Sequence, residues 1–151
     1  MPSGAPFERY VGVRLVRQFA PEWRVAGAGS ECLCRHGEAS WFNLIPDFLL
    51  RRGNELRVLD TKWKVLDAAA SDAREKYGLK QSDLYQMCAY GQRYLGGAGK
   101  MALVYPQHAG FAQPLPTFDF SPELHLWVLP FDLDRGLLVL PGAWKLPKSL
   151  S

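Results

Sequence analysis

Ile45-Pro46-Asp47-Phe48-Leu49-Leu50-Arg51-Arg52-Gly53-Asn54-Glu55-Leu56-Arg57-Val58-Leu59-Asp60-Thr61-Lys62-Trp63 is the stretch on which the reading of this chain turns. Two apolar runs flank Arg51-Arg52-Gly53-Asn54, a turn cluster of hairpin type, so residues 45–50 and 55–63 are predicted to pair antiparallel. Residues two apart on a strand share a face, which sets Asp60 and Lys62 side by side, about 6.6–7 Å apart along the chain. Asp47, across the short hairpin, reaches the same place. Two carboxylates meeting at one point repel unless a positive charge intervenes, and a hard divalent cation with oxygen ligands is the common solution. An isolated D-x-K is most often a surface ion pair, so the flanking sequence decides what this one means.

On the N-terminal side, Phe7, Tyr10, Val11 and Leu15 recur at helical spacing and predict a helix over 7–19, ended by Pro21, with Glu8 at the rim of its apolar stripe. Short β-type runs follow at 23–25, 31–36 and 41–50. On the C-terminal side, 66–79 holds three consecutive alanines and no clear apolar period, which predicts a mobile loop or short helix. Ser82 is a suitable N-cap for a helix over 83–95. That helix has a core stripe of Leu84, Met87, Cys88, Gly91 and Leu95, and a second stripe of Asp83, Gln86, Tyr90 and Arg93; Gly96-Gly97 stops it. Strands are predicted at 101–105, 124–129 and 137–140, with prolines marking the loops. The order implies an α+β fold with one mixed central β-sheet flanked by helices. A single domain over 1–151 is expected, with a loop-rich C-terminal β region from about 107 to 151.

Composition narrows the class. The 151 residues are 48% hydrophobic and 22% charged, which excludes disorder throughout, and the net charge of +3 permits phosphate contacts without demanding them. The longest apolar runs, such as Leu137-Leu138-Val139-Leu140, fall far short of the ~20 residues of a membrane helix. Glu8 and Arg9 stand where a signal peptide would be apolar. Three cysteines are an odd count for a disulfide framework, so reduced thiols and a cytoplasmic location are expected, without membrane association. The same count excludes a four-cysteine iron–sulfur cluster within one chain. No G-x-x-x-x-G-K-[ST] loop is present, so no nucleotide is expected to bind this chain.

Weaker signals remain. Cys32, Cys34 and His36 alternate along one strand face and could in principle hold zinc, but the run lacks a C-x-x-C turn and a fourth ligand, which favours ordinary inward-facing residues. His108 and His125 lie near proline-rich loops and read as structural. Lys64 and Arg93 are the leading phosphate contacts. Tyr90 and Trp63 could stack on a base or pack in the core, and core packing is expected for Trp63.

Pro46-Asp47 followed by Asp60-Thr61-Lys62 resembles the pattern of the PD-(D/E)xK nuclease superfamily. Within it, Leu59-Asp60-Thr61-Lys62-Trp63-Lys64, then Asp83-Leu84-Tyr85-Gln86-Met87-Cys88-Ala89-Tyr90-Gly91, and Phe7-Glu8-Arg9-Tyr10-Val11 near the start, resemble the nuclease domain of McrC. That family supplies the endonuclease subunit of restriction systems directed at methylated cytosine, and the likeness covers about residues 6–106. It implies a restriction-endonuclease-like core and a DNA endonuclease dependent on Mg²⁺, for which Mn²⁺ can substitute. By position, Glu8, Asp47 and Asp60 would be acidic metal-site residues, the Thr61 carbonyl a further ligand, and Lys62 the catalytic lysine. Gln86-x-x-x-Tyr90 matches a motif that holds substrate in RecB-like relatives, and Gln81 and Tyr85 share its spacing, which leaves the register open. The resemblance also implies a McrB-like GTP-dependent motor as partner, engaged in that family through a further N-terminal region. Pairing of two copies would give a double-strand break. The alternatives are a stand-alone RecB-like nuclease acting on DNA ends or repair intermediates, and a non-catalytic DNA-binding or assembly module.

Overall fold

The computed structural model describes residues 4–27 and 31–144. Its first element is helix α1, Ala5–Phe19, which buries Phe7, Val11, Leu15 and Phe19, an uninterrupted i, i+4 stripe. Tyr10, expected on that stripe, lies beside it and stays exposed. The strands are β1 Arg24–Ala26, β2 Glu31–His36, β3 Ala39–Leu44, β4 Phe48–Arg52 and β5 Glu55–Thr61. After helix α2, Gln81–Leu95, come β6 Gly99–Pro106, β7 Phe118–Asp119, β8 Leu124–Asp132 and β9 Leu137–Leu138.

Seven strands form one mixed sheet in the order β1-β4-β5-β6-β8-β7, with β9 also on β8. The hairpin β4–β5 is antiparallel, as its turn chemistry predicts, while β5, β6 and β8 run parallel to one another. Helices cover both faces of those central strands, which is why β6 and β8 read as nearly continuous apolar runs. One core lies under α1 and gathers Phe7, Val11, Leu15, Phe48, Leu59, Val104 and Leu129. The other lies under α2, with Val58, Met87, Tyr90, Met101, Leu103 and Val128. Each helix comes close to the sheet through a glycine. A Cβ on Gly12 of α1 would stand 2.8 Å from Phe48 Cε1, and one on Gly91 of α2 would stand 2.7 Å from Leu124 Cδ2. The result is the predicted α+β class, a mixed central sheet flanked by helices.

Several local expectations are corrected. The run 41–50 is not one strand: β3 pairs only with β2 in a separate two-stranded sheet, and the chain enters the main sheet at Phe48. Ile45-Pro46-Asp47 makes the break, because Pro46 has no N–H for a ladder and the Asp47 N–H is spent on the Asp60 side chain at 3.0 Å. Helix α2 begins at Gln81 after Lys80, so Ser82 lies inside it and is no cap. Residues 66–79 form a loop that ends in a short 3-10 helix, Lys76–Gly78, the short-helix alternative of the sequence reading, and the loop is tied down. Leu66 is fully buried, the Asp67 N–H bonds the Tyr77 carbonyl, and the Ala68 N–H bonds the Gly110 carbonyl. The strand predicted over 137–140 is cut to Leu137–Leu138. In the C-terminal part, the predicted strand over 124–129 is β8, which sits inside the sheet between β6 and the short β7 and β9; residues 145–151 lie outside those described. No helix among the described residues is long and apolar enough to cross a membrane.

Candidate active site

Side chains alternate along β5, so Val58 and Asp60 face α2 while Leu59 faces α1. Asp60 thereby sits near the carboxyl end of β5, only 4% exposed. Lys62 continues past the strand, its N–H still bonded to the Val104 carbonyl at 2.9 Å, and its Nζ lies 3.0 Å from Asp60 Oδ2. The side-by-side D-x-K geometry read from the sequence is present. Asp47 arrives from the entry to β4, and its Oδ2 accepts hydrogen bonds from the Thr61 N–H at 2.8 Å and the Thr61 hydroxyl at 2.6 Å. Asp47 and Asp60 are thus interlocked: the backbone N–H of one bonds the carboxylate of the other, and Asp47 reaches the residue after Asp60.

Both helices bring a first turn to this point. Glu8, in the first turn of α1, lies within hydrogen-bonding reach of Asp47. From α2, Gln86 Oε1 accepts from Lys62 Nζ at 3.0 Å, and Asp83 Oδ1 lies 3.6 Å from the same nitrogen. Asp83 was not singled out as a site residue by sequence reasoning. Its signal was there: it stands three residues before Gln86 and so shares that helix face.

The electrostatics follow from crowding. Burial and the negative charge of Asp47 push the Asp60 carboxyl up to about 6, although Lys62 pulls the other way. Burial, a hydrogen bond with Asp47 and the charges of Asp47 and Asp60 raise Glu8 to about 7. Lys62 is the mirror case. Its burial disfavours the ammonium, but Asp60, Asp83 and Asp47 outweigh that and hold it above its usual range. Three carboxylates around one partly buried ammonium carry uncompensated negative charge, and a hard cation is the complement that donor set fits. No group of three or more His, Cys, Asp or Glu side chains is gathered closely enough for a metal among the described residues. Asp47 and Asp60 are instead held by Thr61, Lys62 and the backbone.

The remaining predicted residues divide. Gln86, not Gln81, meets Lys62, while Gln81 and Tyr85 hydrogen-bond each other on the exposed side of α2. Tyr90 is buried, and its hydroxyl donates to the Ile45 carbonyl at 3.3 Å, fastening α2 to the segment before Asp47. Burial, with Asp60 and Asp47 nearby, pushes that phenol up. Lys64 lines a pocket of about 380 Å³ with Lys62, Trp63, Lys80 and Asp83. Arg93 does not join them. It lies seven residues along α2 from Gln86, about 10.5 Å, and faces Glu31 at 3.6 Å. Trp63, expected in the core, keeps 44% of its surface exposed. Cys34 and His36 are exposed as well, contrary to the inward-facing expectation, and only Cys32 is buried.

Residues 2–106 match the family described as McrBC 5-methylcytosine restriction system component. No protein with a curated description matches. Among solved structures, the chain is similar to one in the tetradecameric assembly of Thermococcus gammatolerans McrB AAA+ hexamers with bound McrC, with a TM-score of 0.63 at 16% identity. The alignment covers 93% of this chain and 30% of that one, so the chain spans under a third of the length of the protein it matches. The structural likeness establishes the fold, and the match over residues 2–106 establishes the family: this chain belongs to the McrBC 5-methylcytosine restriction system components.

Proposed function

We propose that this chain is a metal-dependent DNA endonuclease, the catalytic part of a McrBC-type system acting on DNA that carries 5-methylcytosine. The observation that carries the reading is the meeting of Asp47, Asp60 and Lys62 at one end of β5, with Lys62 held by Gln86 from a separate element. Glu8, Asp47, Asp60 and the Thr61 carbonyl are the groups that would hold Mg²⁺ or Mn²⁺. When bound, the metal would orient water, polarise a phosphoryl oxygen and offset the charge of an in-line displacement.

The protein's own part is positioning. Asp60 presents Oδ1 to the Asp47 N–H and Oδ2 to Lys62, so its orientation is fixed from two sides. The Thr61 hydroxyl and N–H fix Asp47 in the same way. Lys62, held above its usual range, enters the reaction as an ammonium. It donates to the attacking water or to a non-bridging phosphate oxygen and favours the extra negative charge of the transition state. Asp83 and Gln86 keep its Nζ in place.

The T. gammatolerans assembly contains McrB AAA+ hexamers with bound McrC. Likeness in fold to a chain of that assembly supports a McrB-like GTP-dependent motor as partner. A cytoplasmic location agrees with this reading, and pairing of two copies would give a double-strand break. The test is cleavage of methylated and unmethylated plasmid with Mg²⁺ or Mn²⁺, with and without a McrB-like partner and GTP. Asp60→Ala and Lys62→Ala are each expected to abolish cleavage while leaving the circular dichroism spectrum intact. Full activity in either variant would refute the mechanism. A wild type that neither cuts nor binds Mn²⁺ would favour the assembly module.

A further inference from the structure

The pocket beside the acidic centre holds more cations than the proposed hydrolysis uses. It is lined by Lys62, Trp63, Lys64, Lys80 and Asp83, and only Lys62 is engaged with the carboxylates. The wall thus sets three ammonium groups against the one carboxylate of Asp83, which lies 3.6 Å from Lys62 Nζ, and Lys64 and Lys80 make it positive on balance. Trp63 is the anomaly. An indole is among the largest apolar groups in a protein and normally buries most of its surface, yet this one is 44% exposed. It is not loose. Phe7 backs it from the first turn of α1, with ring centroids 5.2 Å apart at 48°, and a Cβ on Gly4 would lie 3.7 Å from the Trp63 Cβ. Helix α1 therefore supports the ring from one side and leaves the remainder toward solvent, immediately after Lys62 in the chain.

We propose that Trp63, Lys64 and Lys80 form a subsite for one unpaired nucleotide of the DNA strand, next to the phosphate held at Lys62. The base stacks on the indole, and the two ammonium groups hold the phosphates on either side of it. This deepens the nuclease reading and rests on it. An unpaired nucleotide fits where a duplex does not, because inside a duplex both faces of a base are covered by its neighbours. Only a strand end or a base that has left the stack can lie on a tryptophan. A pocket of about 380 Å³ is at the small end of the range for single small-ligand sites.

The experiment uses the full chain with Ca²⁺ in place of Mg²⁺, so that the strand stays whole, and a fluorescently labelled twelve-nucleotide strand free or in a duplex closed by a hairpin loop at each end. Wild type is expected to favour the single strand. Trp63→Ala is expected to weaken single-strand binding about ten- to a hundredfold, while Trp63→Phe, which keeps a stacking face, retains most of it. Lys80→Ala is expected to reduce the slope of log affinity against log salt by about 0.7. 2-Aminopurine scanned along the strand is expected to be quenched most at one position, and that quenching is lost in Trp63→Ala. Unchanged single-strand affinity in Trp63→Ala, with wild type still cutting plasmid in Mg²⁺, overturns the subsite and leaves the nuclease standing. A wild type that binds no DNA and cuts none removes both. Melting curves on each variant separate lost contact from lost fold.

Discussion

Asp60 shows how one side chain can cost stability in order to be useful. Its carboxyl is raised from an ordinary 3.8 to about 6, first by burial and then by Asp47. The folded state therefore binds that proton more tightly than the unfolded chain does. Its contribution to stability is present at low pH and is lost as the pH rises from about 4 to about 6. Removing the charge relieves this, and an asparagine keeps an oxygen for the Asp47 N–H. Without metal, Asp60→Asn is thus expected to melt at or above wild type at pH 8 and to have a flatter melting-temperature profile between pH 5 and 8, while losing cleavage. A bound cation would offset the same repulsion. Mg²⁺ or Mn²⁺ is expected to raise the wild-type melting temperature more at pH 8 than at pH 5, and far less in Asp60→Asn. Equal metal-induced shifts in the two proteins would place the cation elsewhere.

Two helices meet the sheet from opposite faces, and each does a separate job at the level of the element. Helix α2 brings Gln86 to Lys62 and inserts Tyr90 behind Ile45. Partners that orient a reacting group are worth about 10–100-fold in activity. Gln86→Ala is expected to lower kcat by about that factor, while Gln81→Ala, whose side chain reaches only Tyr85, leaves it unchanged. An equal loss in both would shift the motif by five residues. The helix can do this only because Gly91 lets it lie against Leu124 and Met101. Gly91→Leu overpacks that contact and is expected to cost about 1–3 kcal/mol, read from the denaturant midpoint, with Gln86 drawn away from Lys62 and activity falling in parallel.

At the scale of the whole molecule, the family match and the folding unit have different bounds. The match ends at residue 106, but β8 comes later and pairs with β6 in parallel from Gly99↔Leu124 to Pro106↔Phe131. It also supplies Leu126, Val128, Leu129 and Phe131 to the two cores. A chain cut after residue 106 would leave β6 as a long, apolar, unpaired edge, the arrangement most prone to aggregation. That fragment is expected to elute as aggregate in gel filtration, without a cooperative melt, whereas residues 4–144 hold together. A soluble, cooperatively melting 1–106 would refute this. Within the full chain, Leu129→Ala removes a fully buried side chain and is expected to cost about 2–5 kcal/mol in chemical denaturation.

The sequence by itself determined the elements whose cause is local. The turn at Gly53-Asn54 closed the β4–β5 hairpin, the two-residue period put Asp60 beside Lys62, and i, i+4 spacing made α1. Periodicity constrains only a residue's own element, and what it could not reach is long-range. The register of Gln86 against Gln81 was open because both obey the same helical spacing, and only packing of α2 on the sheet turns one of them toward Lys62. Trp63 reads as core by composition, yet the end of β5 leaves it at the pocket mouth, where α1 covers just part of it. Arg93 shares a helix stripe with Gln86, but two turns of rise carry it to Glu31 instead. Asp83 gained a partner because two elements distant in sequence meet, and the break at Ile45-Pro46-Asp47 arose because the Asp47 N–H found a better acceptor in Asp60 than a ladder could offer. These were decided by the tertiary fold, since burial, partner and charge environment exist only once separate elements are packed together.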